Sequence, residues 1–518
     1  MIRWLLFPGL FLFFGGCPFP PDSPPQRMLE AGIAVNLQLG FAAHASPSPF
    51  PYGVASGDPL EDAVILWTML DTLAARQDST VHWEISQDPA FASLAGSGEV
   101  TTSWANHYRV KTDAANLAAG TTYFYRFRHR DQWSETGRTR TALAQDAEEV
   151  VRLAVVSCNA LEWGYMNAFE RIATLDDLAA VVHLGDYIYE YGSGVYGDTT
   201  LGRFHEPRHE IVTARDYHER YAQYRRDPQL RAAHRVHPFI CVWDDHEVAN
   251  NSHTTGAENH DAATQGDYLT RMTTAKQIYY DWMPIREQAS GAIYRRFDFG
   301  QLVTLHMLDE RLAGRDAPAE SFDPAEVGDT ARHMLGETQL EWLCDGLGAS
   351  QAAWQLIGNQ VLFAHLDLSK ILPEYALNLD AWDGYAYERQ RLLDSIGRYN
   401  NPNTIFLTGD THCSWYLDIN DGEGKRLAHE LGTPSVSSAN YDELIGGWDT
   451  LAVASYRLYR DNAHLHYTNI QDHGYLLLQL DAEQARAEFH FSSSIRHVTA
   501  HEKATKIFTL PYDHRNAR

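Results

Sequence analysis

Two kinds of hydrophobic pattern divide the chain. Between Pro51 and Leu143 the runs AVILWTML, TVHWEIS, HYRVKTD and TYFYRFRHR are rich in β-branched and aromatic residues, and SGDP, AAGT and RDQWSE separate them. Short strands with turn residues at regular spacing predict a small β-sandwich, placed at residues 49–145. From Val150 the pattern changes. Continuous apolar runs (VRLAVVSC, AAVVHLGD, FICVWDD, LVTLHMLD, AWQLIGNQVLF, NTIFLTGDTH) are separated by helical stretches such as MNAFERIATLD and TARDYHERYAQYRRDPQLRAAHR. Strands apolar on both faces and alternating with helices predict an α/β domain, residues 146–490, with its sheet covered on both sides. Residues 491–518 are set apart as a C-terminal tail.

The N-terminal segment has Arg3, an apolar run from Trp4 to Phe14 and then GGC ending at Cys17. The run is too short for a membrane span and reads as an export signal, residues 1–17. Small residues directly before a cysteine resemble a lipobox, which makes Cys17 a candidate lipidation site; an ordinary signal peptide cut nearby is the alternative. The proline-rich start of residues 18–48 predicts a stiff spacer. The expectation is an exported protein of the cell envelope, periplasmic or anchored in the membrane by lipid.

Composition narrows the function. The 518 residues carry a formal charge of −26 at pH 7, which argues against nucleic acid as a partner and means that an anionic substrate needs local cations. Five cysteines at irregular spacing define no disulfide framework.

Four of the apolar runs end in metal-ligand chemistry: Cys158; Asp186 and Tyr189; Asp244, Asp245 and His246; Asp410 and His412. Taken singly, an Asp after a strand is usually a cap or turn former, and a strand cysteine is usually core. Strand ends of an α/β sheet converge on its crevice, however, so residues more than 250 positions apart can share one site. Asp186 can bridge two cations, and Gly185 lets the chain turn to aim it. A thiolate and a phenol favour a transition metal, a trivalent iron above all, whereas Asp244, Asn251 and Asp410 offer hard oxygens suited to Ca²⁺ or Mg²⁺. Cys241 and Cys413 read as core residues, and the histidines at 464, 466 and 473 show no interpretable ligand spacing.

The stretches GVASGDPLEDAVILWTML, SCN, HLGDYIYEYG, YAQYRRDPQLRAAH, WDDHEVANN, TGAENH, DWMPIR, GNQVLF and LTGDTHCSW together resemble the PhoD-type alkaline phosphatases of the calcineurin-like metallophosphatase superfamily, in family order over residues 50–480. The resemblance implies a four-layer αββα metallophosphatase domain preceded by a small Ig-like β-sandwich. It also implies a phosphoric mono- or diester hydrolase that uses one Fe³⁺ beside two Ca²⁺. Carried over, it makes Cys158, Asp186, Tyr189 and His412 the iron ligands, and Asp186, Asp244, Asn251 and Asp410 the calcium ligands. Asp245 and His246 are secondary catalytic candidates, the histidine near the leaving group. Arg311 in MLDERLAG stands where the family motif ends in arginine; it reads as a phosphate clamp or as a surface ion pair with Asp309 or Glu310. The family is usually exported by a twin-arginine signal, which this chain lacks, and Zn²⁺ or Mn²⁺ stays open in place of iron.

Such paired cations would neutralise a phosphoryl oxygen and hold a hydroxide in line for attack on phosphorus. A phospholipase D or other phosphodiesterase of the same fold would share these ligands and differ in its lids, expected at Gly192–Arg215 and Pro373–Tyr387. A non-enzymatic cell-surface binding protein is a remote alternative.

Overall fold

The structure, a computed structural model, describes residues 48–71, 78–369, 377–399, 401–445 and 448–514. Cys17, most of the proline-rich spacer and the 373–376 part of the second expected lid lie outside the described residues.

The apolar runs become strands of two large sheets. In the first, nine strands follow the order 506–511, 484–491, 474–480, 151–156, 180–183, 238–241, 54–57, 63–69 and 109–115. Its centre is parallel, Val151–Val156 against Ala180–His183 against Pro238–Cys241, and those fourteen residues are buried except the half-buried Arg152. That burial on both faces is why they read as continuous apolar runs. The second sheet has seven strands in the order 295–299, 303–307, 354–359, 404–408, 426–432, 414–420 and 465–469.

The sheets pack face to face. Leu356, Ile405, Leu407 and Leu431 of the second sheet join Leu153, Val155, Val182 and Leu476 of the first in one core. The intervening Ile357 and Phe406 point the other way, onto Leu340 and Leu343 of helix Glu337–Ala349 and Leu392 and Ile396 of helix Ala386–Tyr399. This two-residue alternation makes a sheet, a sheet and an outer helix layer. On the far side of the first sheet, helices Asn167–Ile172, Ala214–Arg225, Pro228–Val236 and Tyr268–Trp282 supply the fourth layer. The single helical stretch expected at 213–235 is two helices, because Asp227 caps the second and Pro228 opens it.

The nine-stranded sheet crosses the expected domain limits in two places. The N-terminal sandwich has two leaves, but only one is its own: the five strands within 79–140. The other leaf, 54–57, 63–69 and 109–115, is the edge of the nine-stranded sheet, joined by the parallel pairing of Ser56 and Gly57 with Pro238 and Phe239. Val64, Leu66, Val110 and Ala114 face Val81, Ile85, Tyr125 and Phe127, while Trp67 faces the main core and meets Trp282 at 6.0 Å. The supposed C-terminal tail is likewise a strand, Lys506–Pro511, paired with Gln484–Phe489 and buried at Leu510.

Candidate metal centre

Every strand-end residue named above follows its strand by only a few positions, and all of them gather at one edge of the two sheets. Four of them, Cys158, Asp186, Asp410 and His412, and with them Asn251 farther along its loop, hold φ between 53° and 63°. That left-handed conformation is uncommon for residues with a Cβ and marks positions that the surrounding fold over-determines, often at functional sites. Gly185 makes the turn into Asp186 possible at φ 110°, and a Cβ there would meet the Asp244 backbone nitrogen at 2.5 Å. The glycine therefore allows two ligand-bearing loops to touch.

One half of the cluster is soft. Potential donor atoms of Cys158, Asp186 and His412 lie within 4.8 Å of one another. The Tyr189 hydroxyl is 2.9 Å from Asp186 Oδ2 and 3.3 Å from His412 Nε2. The other half is oxygen-rich: Asp244, Asp245 and Asp410 form a second group of the same size. Asp245 serves the backbone, because its two oxygens accept from His246 N at 3.0 Å and Asn251 N at 2.6 Å.

Of the two adjacent asparagines, Asn250 has its Oδ1 occupied by the Tyr191 hydroxyl at 3.1 Å. Asn251 Oδ1 has no hydrogen-bond partner, and its amide nitrogen is held by Glu258. Asp186 Oδ1 and Asp244 Oδ2 are also buried without a hydrogen-bond partner. Buried acceptors of this kind are costly unless something positive meets them.

The charges say the same. Four buried carboxylates, Asp186, Asp244, Asp245 and Asp410, face the guanidinium of Arg311 and the imidazole of His246. On the chain's own charges, burial pushes Asp186 well above the usual carboxylate range, and burial holds Asp244 up at about 7 against the pull of Arg311. Burial likewise raises the Cys158 thiol and the Tyr189 phenol, and lowers His412 to about 4. The donor set thus fits cations: a thiol, a phenol and an imidazole on one side of Asp186 and hard oxygens on the other.

Arg311 is not a surface residue. It is fully buried, with Nε 2.5 Å from Asp244 Oδ1, Nη1 2.9 Å from Asp380 Oδ2 and Nη2 3.5 Å from Asp410 Oδ1. Asp380 also binds Arg315 at 2.5 Å. His246 donates Nδ1–H to, or shares it with, Glu190 Oε2 at 2.6 Å, and its ring lies 4.2 Å from that of Tyr189. Sequence reasoning missed Asp380, Glu190 and Glu258, whose roles depend on partners far along the chain. Of the expected lids, Gly192–Arg215 lies over the soft side, where Tyr196 stacks on Tyr189 at 5.2 Å and bonds Ser438. In the described part of the other, Trp382, Asp383, Gly384 and Tyr385 are buried, whereas Tyr387 is exposed.

A separate cluster, His107, His218 and Asp281, sits between the N-terminal sheet edge and helix Tyr268–Trp282. Trp282 Nε1 donates to His218 Nδ1 at 2.9 Å. Since an indole only donates, Nε2 of the neutral ring carries the proton and offers no lone pair to a metal.

Residues 153–489 match the model of the PhoD-like phosphatase family, and residues 35–143 match that of the PhoD-like phosphatase N-terminal domain. Alkaline phosphatase D of Bacillus subtilis (strain 168) is 33% identical over 488 residues, covering 89% of this chain and 81% of that protein. The solved structure of PhoD superposes with a TM-score of 0.82 at 31% identity, covering 90% of this chain and 91% of that one. A purple acid phosphatase from yellow lupin shares the fold at a TM-score of 0.58 and 13% identity, covering 91% of this chain and 76% of that one. The chain is a metal-dependent phosphatase and belongs to the PhoD-like phosphatase family.

Proposed function

We propose that the protein is an exported phosphoric mono- and diester hydrolase with a mixed metal centre. In this reading Cys158, Asp186, Tyr189 and His412 hold Fe³⁺, while Asp186, Asp244, Asn251 and Asp410 hold Ca²⁺, with Asp186 shared. The observation that carries it is the meeting of soft and hard donors on Asp186, with unpartnered oxygens of Asp186, Asp244 and Asn251 buried among them. Cations bound there supply charge neutralisation for the phosphoryl group and lower the pKa of water for attack.

The chain's own residues do the rest. Arg311 Nη2 makes no hydrogen bond and only longer ion pairs, to Asp410 at 3.5 Å and Asp245 at 3.9 Å, so it can turn to clamp a phosphoryl oxygen while Nε and Nη1 stay fixed by Asp244 and Asp380. Glu190 holds His246 by Nδ1, which leaves Nε2 to give a proton to the departing alkoxide. Export is supported by the apolar run ending at Cys17, and lipid on Cys17 would tether the enzyme to the membrane.

Hydrolysis of p-nitrophenyl phosphate and of its bis ester, with elemental analysis of the same sample, tests the reading. Turnover of at least one ester together with bound iron and calcium is expected; a metal content of zinc or manganese alone would redraw the soft side. Fatty-acid labelling of wild type and Cys17→Ala tests the anchor, which fails if the variant stays equally membrane-associated.

A further inference from the structure

We infer that Glu247 is a positioning residue that locks two ligand-bearing loops into one site. Nothing in its sequence context distinguishes it: it is the last residue of DDHE and offers no ligand in the clusters above. It is nevertheless 1% exposed, and its carboxylate accepts three backbone N–H groups. Oε2 takes Asp244 N at 2.8 Å and Asp186 N at 3.2 Å, and Oε1 takes Tyr187 N at 2.6 Å. The donors belong to two loops about sixty positions apart, and two of the three are the backbone nitrogens of Asp186 and Asp244 themselves.

The carboxylate therefore does two things at once. It satisfies the N–H groups left by a chain that turns through φ 55° at Asp186, where no regular ladder can take them. It also fixes the distance between the loop beginning at Gly185 and the loop beginning at Asp244, which touch where Gly185 lacks a Cβ. Both orphaned carboxylate oxygens, Asp186 Oδ1 and Asp244 Oδ2, are carried on the backbone that Glu247 clamps. Glutamine cannot replace it. Three donors need two accepting oxygens, and an amide presents one oxygen and one NH₂, so at least one backbone N–H would face another donor.

This inference rests on the metal reading proposed above, and the test separates the two. Glu388 is a control of the same construction elsewhere: fully buried, it accepts Met334 N at 2.8 Å and Leu335 N at 3.0 Å and touches none of the candidate ligands. Purified full-length wild type, Glu247→Gln and Glu388→Gln are titrated with a chelator series. Retained calcium and transition metal are read by elemental analysis, beside circular dichroism and thermal melts. Metal is expected to be held 10- to 100-fold more weakly in Glu247→Gln, the usual cost of losing a partner that orients ligands. Glu388→Gln should melt lower yet hold metal as the wild type does. Wild-type metal retention in Glu247→Gln, or equal weakening in both variants, overturns the inference. Should Glu247→Gln not fold, Glu247→Asp withdraws both oxygens by one methylene, and weakened retention supports the inference where wild-type retention overturns it. A wild type that holds no metal overturns the metal reading and this inference together.

Discussion

The Nδ1 atom of His412 lies 2.7 Å from the carbonyl oxygen of Ala439. A carbonyl only accepts, so Nδ1 carries the proton, and the Nε2 lone pair is left facing the Tyr189 hydroxyl at 3.3 Å. The tautomer of a candidate ligand is thus set by a backbone atom 27 positions away. Burial, which lowers the His412 pKa to about 4, keeps the ring neutral as ligation requires. Replacing His412 with Ala is expected to weaken retention of the transition metal by 10- to 100-fold or more while calcium stays bound. Elemental analysis after dialysis checks it; simultaneous loss of both metals would mean that the two halves of the site are not separable at Asp186.

The oxygen-rich half gives a second expectation. Asp244, Asn251 and Asp410 supply hard donors, and the unpartnered Asp244 Oδ2 and Asn251 Oδ1 are buried. A calcium-selective chelator should abolish ester hydrolysis at concentrations that leave circular dichroism unchanged, and added Ca²⁺ should restore it. Full turnover in the chelator would leave only the soft half as the working centre.

Much of this site was legible in the sequence because of how parallel strands work. Val151–Val156, Ala180–His183, Pro238–Cys241 and Thr404–Thr408 are nearly all buried, so each stood out as an apolar run, and a polar residue at its end had to lie at the crevice. The supporting acids were not legible. Glu190, Glu247, Glu258 and Asp380 look like any surface acid until the fold buries them or brings a partner to them, and those partners are backbone N–H groups, amides or guanidinium groups set by tertiary structure. The continuation of one sheet across the domain boundary was hidden for a similar reason. Val54–Gly57 is only four residues long, and its parallel pairing with Pro238 and Phe239 is a contact across more than 180 positions that no local pattern reports.

Trp382 carries a third expectation, opposite to that of a lid. The fully buried indole donates to Glu310 Oε1 at 2.7 Å and to Asn359 Oδ1 at 3.1 Å, and it meets Phe363 edge-on at 5.0 Å. Trp382→Ala leaves a cavity and deprives Glu310 of a donor, at a cost of about 3–5 kcal/mol. A denaturant titration should show that loss, while the ratio of kcat/KM for the monoester to that for the diester stays within about twofold, a difference of about 0.4 kcal/mol. A large change in that ratio would restore the lid.

Asp418 gives an expectation in pH. Burial raises its pKa, but His429 at 2.9 Å and His466 at 2.8 Å outweigh that and bring it from 3.8 to about 2. Tyr416 packs on both rings, and Arg426 lies close enough to His429 to act on it. A depressed carboxylate contributes stability that is fully present above its unfolded pKa and is lost as pH falls through the folded one. With solvent screening at this half-buried position the contribution is about 1 kcal/mol. Wild type should exceed Asp418→Asn by about that much at pH 6, and the gap should close between pH 4 and pH 2. A gap independent of pH would assign the difference to packing.

The last expectation concerns Tyr189, fully buried between Asp186, His412 and the stacked ring of Tyr196. Burial and the neighbouring Asp186 push its pKa well above 10, so on the chain's own charges it is a neutral phenol donating to Asp186. A trivalent iron reverses that balance, since a strong local cation favours the phenolate. Phenolate electrons promoted into a partly filled metal shell would then give a broad visible absorption, which d¹⁰ zinc cannot provide. Tyr189→Phe keeps the ring and its stacking on Tyr196 but removes the oxygen, so the fold should survive while the band disappears and turnover falls. A thiolate on iron also absorbs, and Cys158→Ser measured beside it separates the two sources. A coloured wild type whose band is unchanged in Tyr189→Phe would leave the phenol as a packing residue that merely donates to Asp186, and the soft half of the site would reduce to Cys158, Asp186 and His412.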